Sequence, residues 1–277
     1  MSAASLHRPP RLAIALVAIA AIVMLTPMLW VVILSFKHNT ALMADTSSAF
    51  VPPWTLANYR SIIGEGQVFT WLTNSLVVSL AMTAGVLVLS SLAGYGFARL
   101  EFPGRRLLFI LVLLGLAIPE QAVIIGRHQM FSAVSMHNTY TALVLPGLAM
   151  PFGVFLMTQY FRAIPRELDE AAMLDGASRP RIFWRVLLPL TLPAQATLGI
   201  FTFFHAWNDY WWPLISATDR DMLTLTVGIA ATQMNFAQTE GLGFLMAQAV
   251  FAGLPTLLVY LVFQKYLVRA VAGAAGQ

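Results

Sequence analysis

The chain has 277 residues, 58% of them hydrophobic and 10% charged, with 16 Lys and Arg against 12 Asp and Glu, and a mean hydropathy of +0.75. A soluble domain carries about 25% charged residues, so this chain lacks the polar surface to cover a water-facing body, which excludes a soluble enzyme, a disordered tail and a secreted disulfide scaffold. There is no cysteine, which removes thiol catalysis, thiolate metal sites and disulfides; the basic residues fall in short groups between apolar runs and fit a membrane surface, not nucleic acid.

A bilayer core takes roughly 20 apolar residues per helix. The first uncharged run covers 12–36 and follows Arg8 and Arg11, as a signal peptide would. At 25 residues it exceeds the roughly 7–15 of a signal h-region, so it reads as an uncleaved span. Later runs predict spans over 74–97, 107–125, 140–161, 194–216 and 243–264. Glycine and proline inside them are tolerated where neighbouring helices satisfy freed backbone groups. Ala84, Gly85, Ser90, Ser91 and Ala93 form a small-residue set suited to helix packing. The expected architecture is an all-α, polytopic membrane protein with six transmembrane helices, in which residues 1–11 precede one transmembrane domain over 12–277.

Basic residues set the orientation. Arg8, Arg11, Arg99, Arg105, Arg106, Arg162, Arg166, Arg179, Arg181, Arg185, Lys265 and Arg269 fall on one side. Lys37, Arg60, Arg127 and Arg220 fall on the other. Both termini are therefore expected in the cytoplasm.

Glu120 is the one acid well within an apolar run. At 1.5 Å per residue it lies roughly 20 Å along the third span, where an ionisable group faces a cavity or a partner. Pro119 can open the helix and Gln121 adds a hydrogen-bonding group. Two readings stand: a local pair with Arg127, seven residues on, or a group lining a solute path. In the fifth span, Trp207, Asn208, Asp209 and Trp211 place aromatic faces beside an amide and a carboxylate. That set suits a sugar, whose C–H faces stack while its hydroxyls hydrogen-bond; an interfacial aromatic belt explains the tryptophans equally well. His205 has no metal partner at useful spacing and reads as a hydrogen-bonded core histidine. No metal site is expected.

Nine of the 28 charged residues lie between Arg162 and Arg185, so this segment cannot sit in hydrocarbon. Pro165 suits a helix start, and Glu167, Asp169 and Glu170 complement the positive end of the helix dipole. Gly176 fits a C′ stop, and Ser178 a cap for a second helix running to Leu187 before Pro189. Ala171, Ala172, Met173 and Leu174 let another surface approach closely. The loop over 162–193 is either a docking element or a solvated connector.

The run Glu170-Ala171-Ala172, three residues, Gly176, nine residues, then Val186-Leu187-Leu188-Pro189 resembles the cytoplasmic signature of binding-protein-dependent ABC importer permeases. It departs from that pattern only by Val186 where the family has Ile. Trp54-Thr55-Leu56-Ala57-Asn58-Tyr59, Asn74-Ser75-Leu76, Gly94-Tyr95-Gly96-Phe97-Ala98-Arg99, Phe102-Pro103-Gly104-Arg105, Asp175-Gly176-Ala177-Ser178 and Trp207-Asn208-Asp209-Tyr210 resemble the carbohydrate-uptake branch, in particular the maltose-transporter-like small permease subunit. The first and last spans carry no such motif. The resemblance implies a type I ABC importer permease fold with a cytoplasmic coupling helix between spans four and five. It implies ATPase coupling through Glu170, Ala171, Ala172, Asp175, Gly176, Ala177, Leu188 and Pro189, with Glu120, Gln121, Trp207, Asn208, Asp209 and Trp211 as substrate-path candidates. The implied partners are a second homologous permease subunit, two ATPase subunits that bind ATP and Mg, an extracytoplasmic substrate-binding protein and membrane lipid. The implied location is a prokaryotic cell membrane. The implied function is half of the translocation pathway of an ATP-driven carbohydrate importer; import of glycerol phosphate or a glycerophosphodiester is the alternative, and an ion-gradient transporter a more distant one.

A phosphate-binding loop needs a glycine-rich turn ending in Gly-Lys-Ser/Thr. The only lysines, Lys37 and Lys265, are not in that setting. The chain is expected to be a non-catalytic subunit with no cofactor of its own.

Overall fold

Proline, more than hydropathy, sets where the helices break. The computed structural model describes residues 11–38, 50–64, 66–236 and 241–275; the segment before residue 11, expected in the cytoplasm, lies outside them. The helices are α1 (Arg11–Ser35), α2 (Ala57–Gly64), α3 (Gln67–Arg99), α4 (Arg105–Ala117), α5 (Glu120–Ala133), α6 (Tyr140–Leu148), α7 (Pro151–Ala163), α8 (Glu167–Leu174), α9 (Arg179–Leu190), α10 (Leu192–Asn208), α11 (Trp211–Ser216), α12 (Leu225–Phe236) and α13 (Gly241–Ala275). No strand occurs among the described residues.

Among the described residues, three helices are long and apolar enough to cross a membrane: α1, α3 and the Gly241–Val262 part of α13. Three bent pairs pass the same test together: α4 with α5 at 102°, α6 with α7 at 47°, and α9 with α10 at 76°. The third span expected over 107–125 is therefore not one helix. Ile118 is extended (φ −88°, ψ 114°), because the ring of Pro119 disfavours helical geometry in the residue before it. Glu120 consequently occupies the first turn of α5, not a point far along a straight helix. The expected fifth span ends early as well: Asp209 is extended (φ −63°, ψ 128°) and closes α10 at Asn208.

The chain divides into two units, residues 1–65 with 231–253, and residues 66–230 with 254–277. In the first, Asn58 donates to the carbonyls of Ser35 (2.8 Å) and Lys37 (2.9 Å), and the Ser35 and Tyr59 hydroxyls lie 2.7 Å apart. Asn58 thereby pins the end of α1 to α2. A Cβ at Gly243 would meet the Lys37 carbonyl at 2.2 Å, so only glycine fits there. Lys37 is buried, its ammonium donating to the Val51 carbonyl and lying 4.0 Å from the Trp54 ring centroid.

The second unit is built around α3. Val78, Met82, Val86, Ser90, Gly94 and Ala98 recur every four residues and are all buried, forming one stripe of the helix. Against it pack Leu143, Met157, Phe161, Ile182, Leu187 and Leu198. Lipid tails are as apolar as leucine, so membrane helices associate through close packing. A Cβ at Gly94 would lie 2.7 Å from the Met157 Cβ, and one at Gly153 would lie 2.3 Å from the Ser90 hydroxyl. At the Trp71 end of α3, the Trp71 indole donates to the Arg220 carbonyl (2.8 Å) and Asn74 donates to those of Asp221 (2.8 Å) and Leu223 (2.9 Å). Asn74 also accepts from the Tyr140 hydroxyl (2.6 Å), and Ser75 from the Leu225 amide (2.8 Å). The Asn74-Ser75 segment thus fastens the 220–225 loop to α3.

Candidate functional site

Two groups of candidate residues come together in the second unit, one at each end of α3.

At the Arg99 end, α8 begins with Glu167, Asp169 and Glu170 in its first turn. It ends in a left-handed stop: Gly176 has φ +78°, its amide donates to Met173 (3.0 Å), and the Ala177 amide reaches back to Ala172 (2.9 Å). This pair of bonds is the Schellman closure, as the sequence predicts for Gly176. Ser178 is extended before α9, although its side chain makes no capping bond. The expected residues split by face. Glu170, Ala171, Asp175 and Gly176 are exposed, whereas Ala172, Ala177 and Leu188 pack on the core. Pro189 is exposed, and together with Pro193 it flanks the bend at Thr191. Leu174 projects at the tip, 90% exposed, and Met173 and Leu168 of the same helix are exposed as well.

Sequence reasoning missed the residue that anchors this helix. Asp169, not Glu170, is the one buried residue of α8, and its Oδ2 lies 3.4 Å from Nε of Arg99. The same guanidinium donates through Nη2 to the Ile164 carbonyl at 2.6 Å. The available signal was helical spacing: Asp169 and Ala172 are three apart and share the inward face.

At the other end, Glu120 sits 3.7 Å from Arg127 and 3.8 Å from His205. Gln121, Ile124, Asp209, Trp211 and Trp212 line a small cleft with Glu120 and Arg127, and His205 stands beside it through Glu120. The Arg127 guanidinium also lies 5.1 Å from the Trp212 ring centroid. Both readings of Glu120 are compatible with this geometry, because the local pair forms and the carboxylate is still 49% exposed. His205 departs from expectation. Its side chain is 47% exposed, since it shares an outward stripe of α10 with Phe201 and Asn208, while Leu198, Thr202 and Ala206 face the core.

The expected path residues separate here. Asp209 and Trp211 face the cleft with Glu120 and Gln121. Trp207 is buried, stacked on Phe203 with ring centroids 5.7 Å apart, and Asn208 turns back to the Phe204 carbonyl (2.8 Å). Trp212 is buried too, its indole donating to the Ala142 carbonyl (2.8 Å). The cleft can offer two carboxylates, an amide, a guanidinium and one exposed indole face to a hydroxyl-rich ligand. Among the described residues no cluster of three His, Cys, Asp or Glu could hold a metal ion.

Residues 86–273 match the model of the family described as "Binding-protein-dependent transport system inner membrane component". The arabinooligosaccharides transport system permease protein AraQ of Halalkalibacterium halodurans is 33% identical over 257 residues, 92% of this chain and 91% of that protein. The diacetylchitobiose uptake system permease protein NgcG of Streptomyces coelicolor is 34% identical over 267 residues, 95% of this chain and 86% of that protein. A bacterial ABC transporter involved in import of the acidic polysaccharide alginate contains a chain of similar fold, with a TM-score of 0.80, 21% identity, and 92% and 95% of the two chains covered.

Proposed function

The chain belongs to the family of binding-protein-dependent transport system inner membrane components, a multi-pass membrane permease, and from that premise we propose that it forms half of the translocation pathway of an ATP-driven carbohydrate importer. A second, homologous permease forms the other half. Two ATPase subunits bind ATP and Mg on the cytoplasmic side, and an extracytoplasmic binding protein delivers the sugar. The pairs α4 with α5 and α6 with α7 each make one span, and α10 makes another with the arginine-bearing α9 at the membrane surface, giving six, with both termini in the cytoplasm.

The observation that carries the coupling role is the α8 tip. A soluble helix end that leaves Leu174 90% exposed, beside small residues and outside any span, is a knob for a protein groove. ATPase closure would push this knob, and alternating access would follow as the two permeases rock against one another. Co-purification in mild detergent tests the assembly: an ATPase should be recovered with this chain. Uptake should stop on ATP depletion and survive an uncoupler. Uptake abolished by the uncoupler alone would instead support an ion-gradient transporter.

Topology is checked with introduced cysteines, since the native chain has none. Ser178→Cys should resist an impermeant thiol reagent applied outside the cell. Ser47→Cys, a position outside the described residues, should be labelled. The reverse pattern would put α8 on the wrong side for an ATPase.

The lining of the Glu120 cleft favours a neutral sugar over a glycerol phosphate, because Glu120 and Asp209 outnumber Arg127. If Glu120 binds a sugar hydroxyl, Glu120→Gln should reduce uptake by roughly tenfold, the loss of one charge-assisted hydrogen bond, with assembly unchanged. Trp211→Ala should raise the apparent KM for the sugar at normal expression. Normal uptake in both variants would leave the Glu120–Arg127 pair and an aromatic belt as the complete account of these residues.

A further inference from the structure

The guanidinium of Arg99 is where three helices meet. Arg99 is the last residue of α3. Its Nη2 bonds the carbonyl of Ile164, the residue that caps α7, and its Nε faces the Asp169 carboxylate of α8. One turn earlier on α3, Tyr95 touches Phe161 of α7 and Phe183 of α9, with ring centroids 5.9 and 5.1 Å apart. Those ring contacts join α3, α7 and α9 but leave α8 out. Asp169 is the only residue of α8 that is buried. Ala172 of the same helix packs on the core as well, and the Asp169–Arg99 pair gives α8 a charged link to α3 along which a load on its tip can pass.

That contact is built as a joint and not as a weld. Nε of Arg99 and Oδ2 of Asp169 are both shielded, and neither makes a conventional hydrogen bond; they face each other at 3.4 Å as charges. A cavity of about 130 Å³, lined by Arg166, Glu170, Met173 and Arg179 as well as the pair, lies beside them. A charge pair tolerates small changes of angle that a bidentate hydrogen bond does not, and the cavity leaves room for α8 to tilt. Beyond the joint, α3 runs unbroken for 33 residues, about 48 Å at 1.5 Å per residue. Its far end holds the 220–225 loop through Trp71 and Asn74.

We infer that Arg99 and Asp169 are positioning residues that convert displacement of α8 into movement of α3. The inference rests on the reading of α8 as the ATPase-docking element.

The test uses the complex reconstituted with its partner permease, ATPases and binding protein, all free of cysteine, with Thr73→Cys as the sole thiol. Thr73 is exposed near the far end of α3. Its maleimide-labelling rate is read before and after trapping with MgATP and vanadate. The parent should change its rate by about fivefold or more, the scale of ordinary coupling between linked sites. In Asp169→Asn the ATPases should remain bound and hydrolyse ATP, while the trapped and untrapped rates fall within about twofold of each other, a loss of most of that coupling. The neutral pair Arg99→Gln with Asp169→Asn, which leaves no lone buried charge, should behave alike, and Asp169→Glu should restore part of the response. A parent with no change on trapping, a full response in the neutral pair, or loss of the ATPases from it would overturn the inference. Leu174→Asp separates the underlying reading: if it keeps its ATPases, the docking role of α8 fails, whatever Asp169→Asn does.

Discussion

Replacing Gly94 with leucine should remove nearly all folded protein from the membrane. A Cβ at this position would lie 2.7 Å from the Met157 Cβ and 2.9 Å from both the Met157 carbonyl carbon and the Thr158 nitrogen. Those neighbours belong mostly to backbone, so α3 and α7 would have to separate along their shared face. Overpacking a closed interface costs about 1–3 kcal/mol even for a small insertion, and leucine adds three further carbons to the first. Gly94→Ala should be measurably destabilised and Gly94→Leu should fail to accumulate, as read by membrane-resident protein and by melting in detergent. Gly96 is the control. It lies on the same helix two residues on, and a Cβ there meets nothing within 4 Å. Gly96→Ala should be neutral or slightly stabilising, because alanine favours a helix by about 1 kcal/mol over glycine. Equal behaviour of Gly94→Leu and Gly96→Ala would mean that the close α3–α7 crossing does not form.

The contrast between these glycines marks the boundary of what the sequence makes legible. Composition announces the membrane, because it is a sum over many residues, and the charge run between Arg162 and Arg185 sets α8 apart from the apolar helices. The Gly176 stop is equally readable, since a glycine after a short helix before Ser-Arg-Pro has one ready conformation. The Gly-Tyr-Gly run, by contrast, gives no means of telling which glycine faces a neighbour. The third apolar run hides its bend for a related reason. Hydropathy is blind to the missing amide and the ring of Pro119, so 107–125 reads as one span although its two helices diverge by 102°. In the candidate site, Trp207 and Asn208 look like ligand groups by type, and three-dimensional packing turns the first inward and the second back on its own helix. His205 errs in the opposite direction, because one residue in a mixed apolar helix says little about which stripe it occupies. Asp169 and Glu170 are chemically near-equivalent neighbours, and the phase of α8 alone decides which one Arg99 receives.

Gly176→Val should give a permease that reaches the membrane and transports almost nothing. Gly176 holds φ at +78° with no atom within 4 Å of an added Cβ, so the penalty is conformational and not steric. For an ordinary L-residue the left-handed region costs roughly 1–2 kcal/mol, and a β-branched residue is a true outlier there. The cheapest relief is to rotate the residue out of that region. Doing so breaks the closure in which the amides of Gly176 and Ala177 satisfy Met173 and Ala172, and the last turn of α8 unwinds. Leu174 lies in that turn, so the knob proposed to dock an ATPase loses its place. No span is touched, and expression should persist. Gly176→Asn provides the graded comparison, because asparagine enters the left-handed region more readily than other residues; it should retain much of the uptake that valine loses. Glu170→Ala should be milder still, since Glu170 is exposed and its loss leaves the backbone closure intact. The measurements are ATPase retained on the purified complex and sugar uptake in cells, where the valine variant should lose on the order of tenfold or more of both, the scale of a 1.4 kcal/mol penalty at the docking step. Full retention and uptake in Gly176→Val would mean that the turn is only a connector, and the proposed coupling of an ATPase through α8 would lose its support.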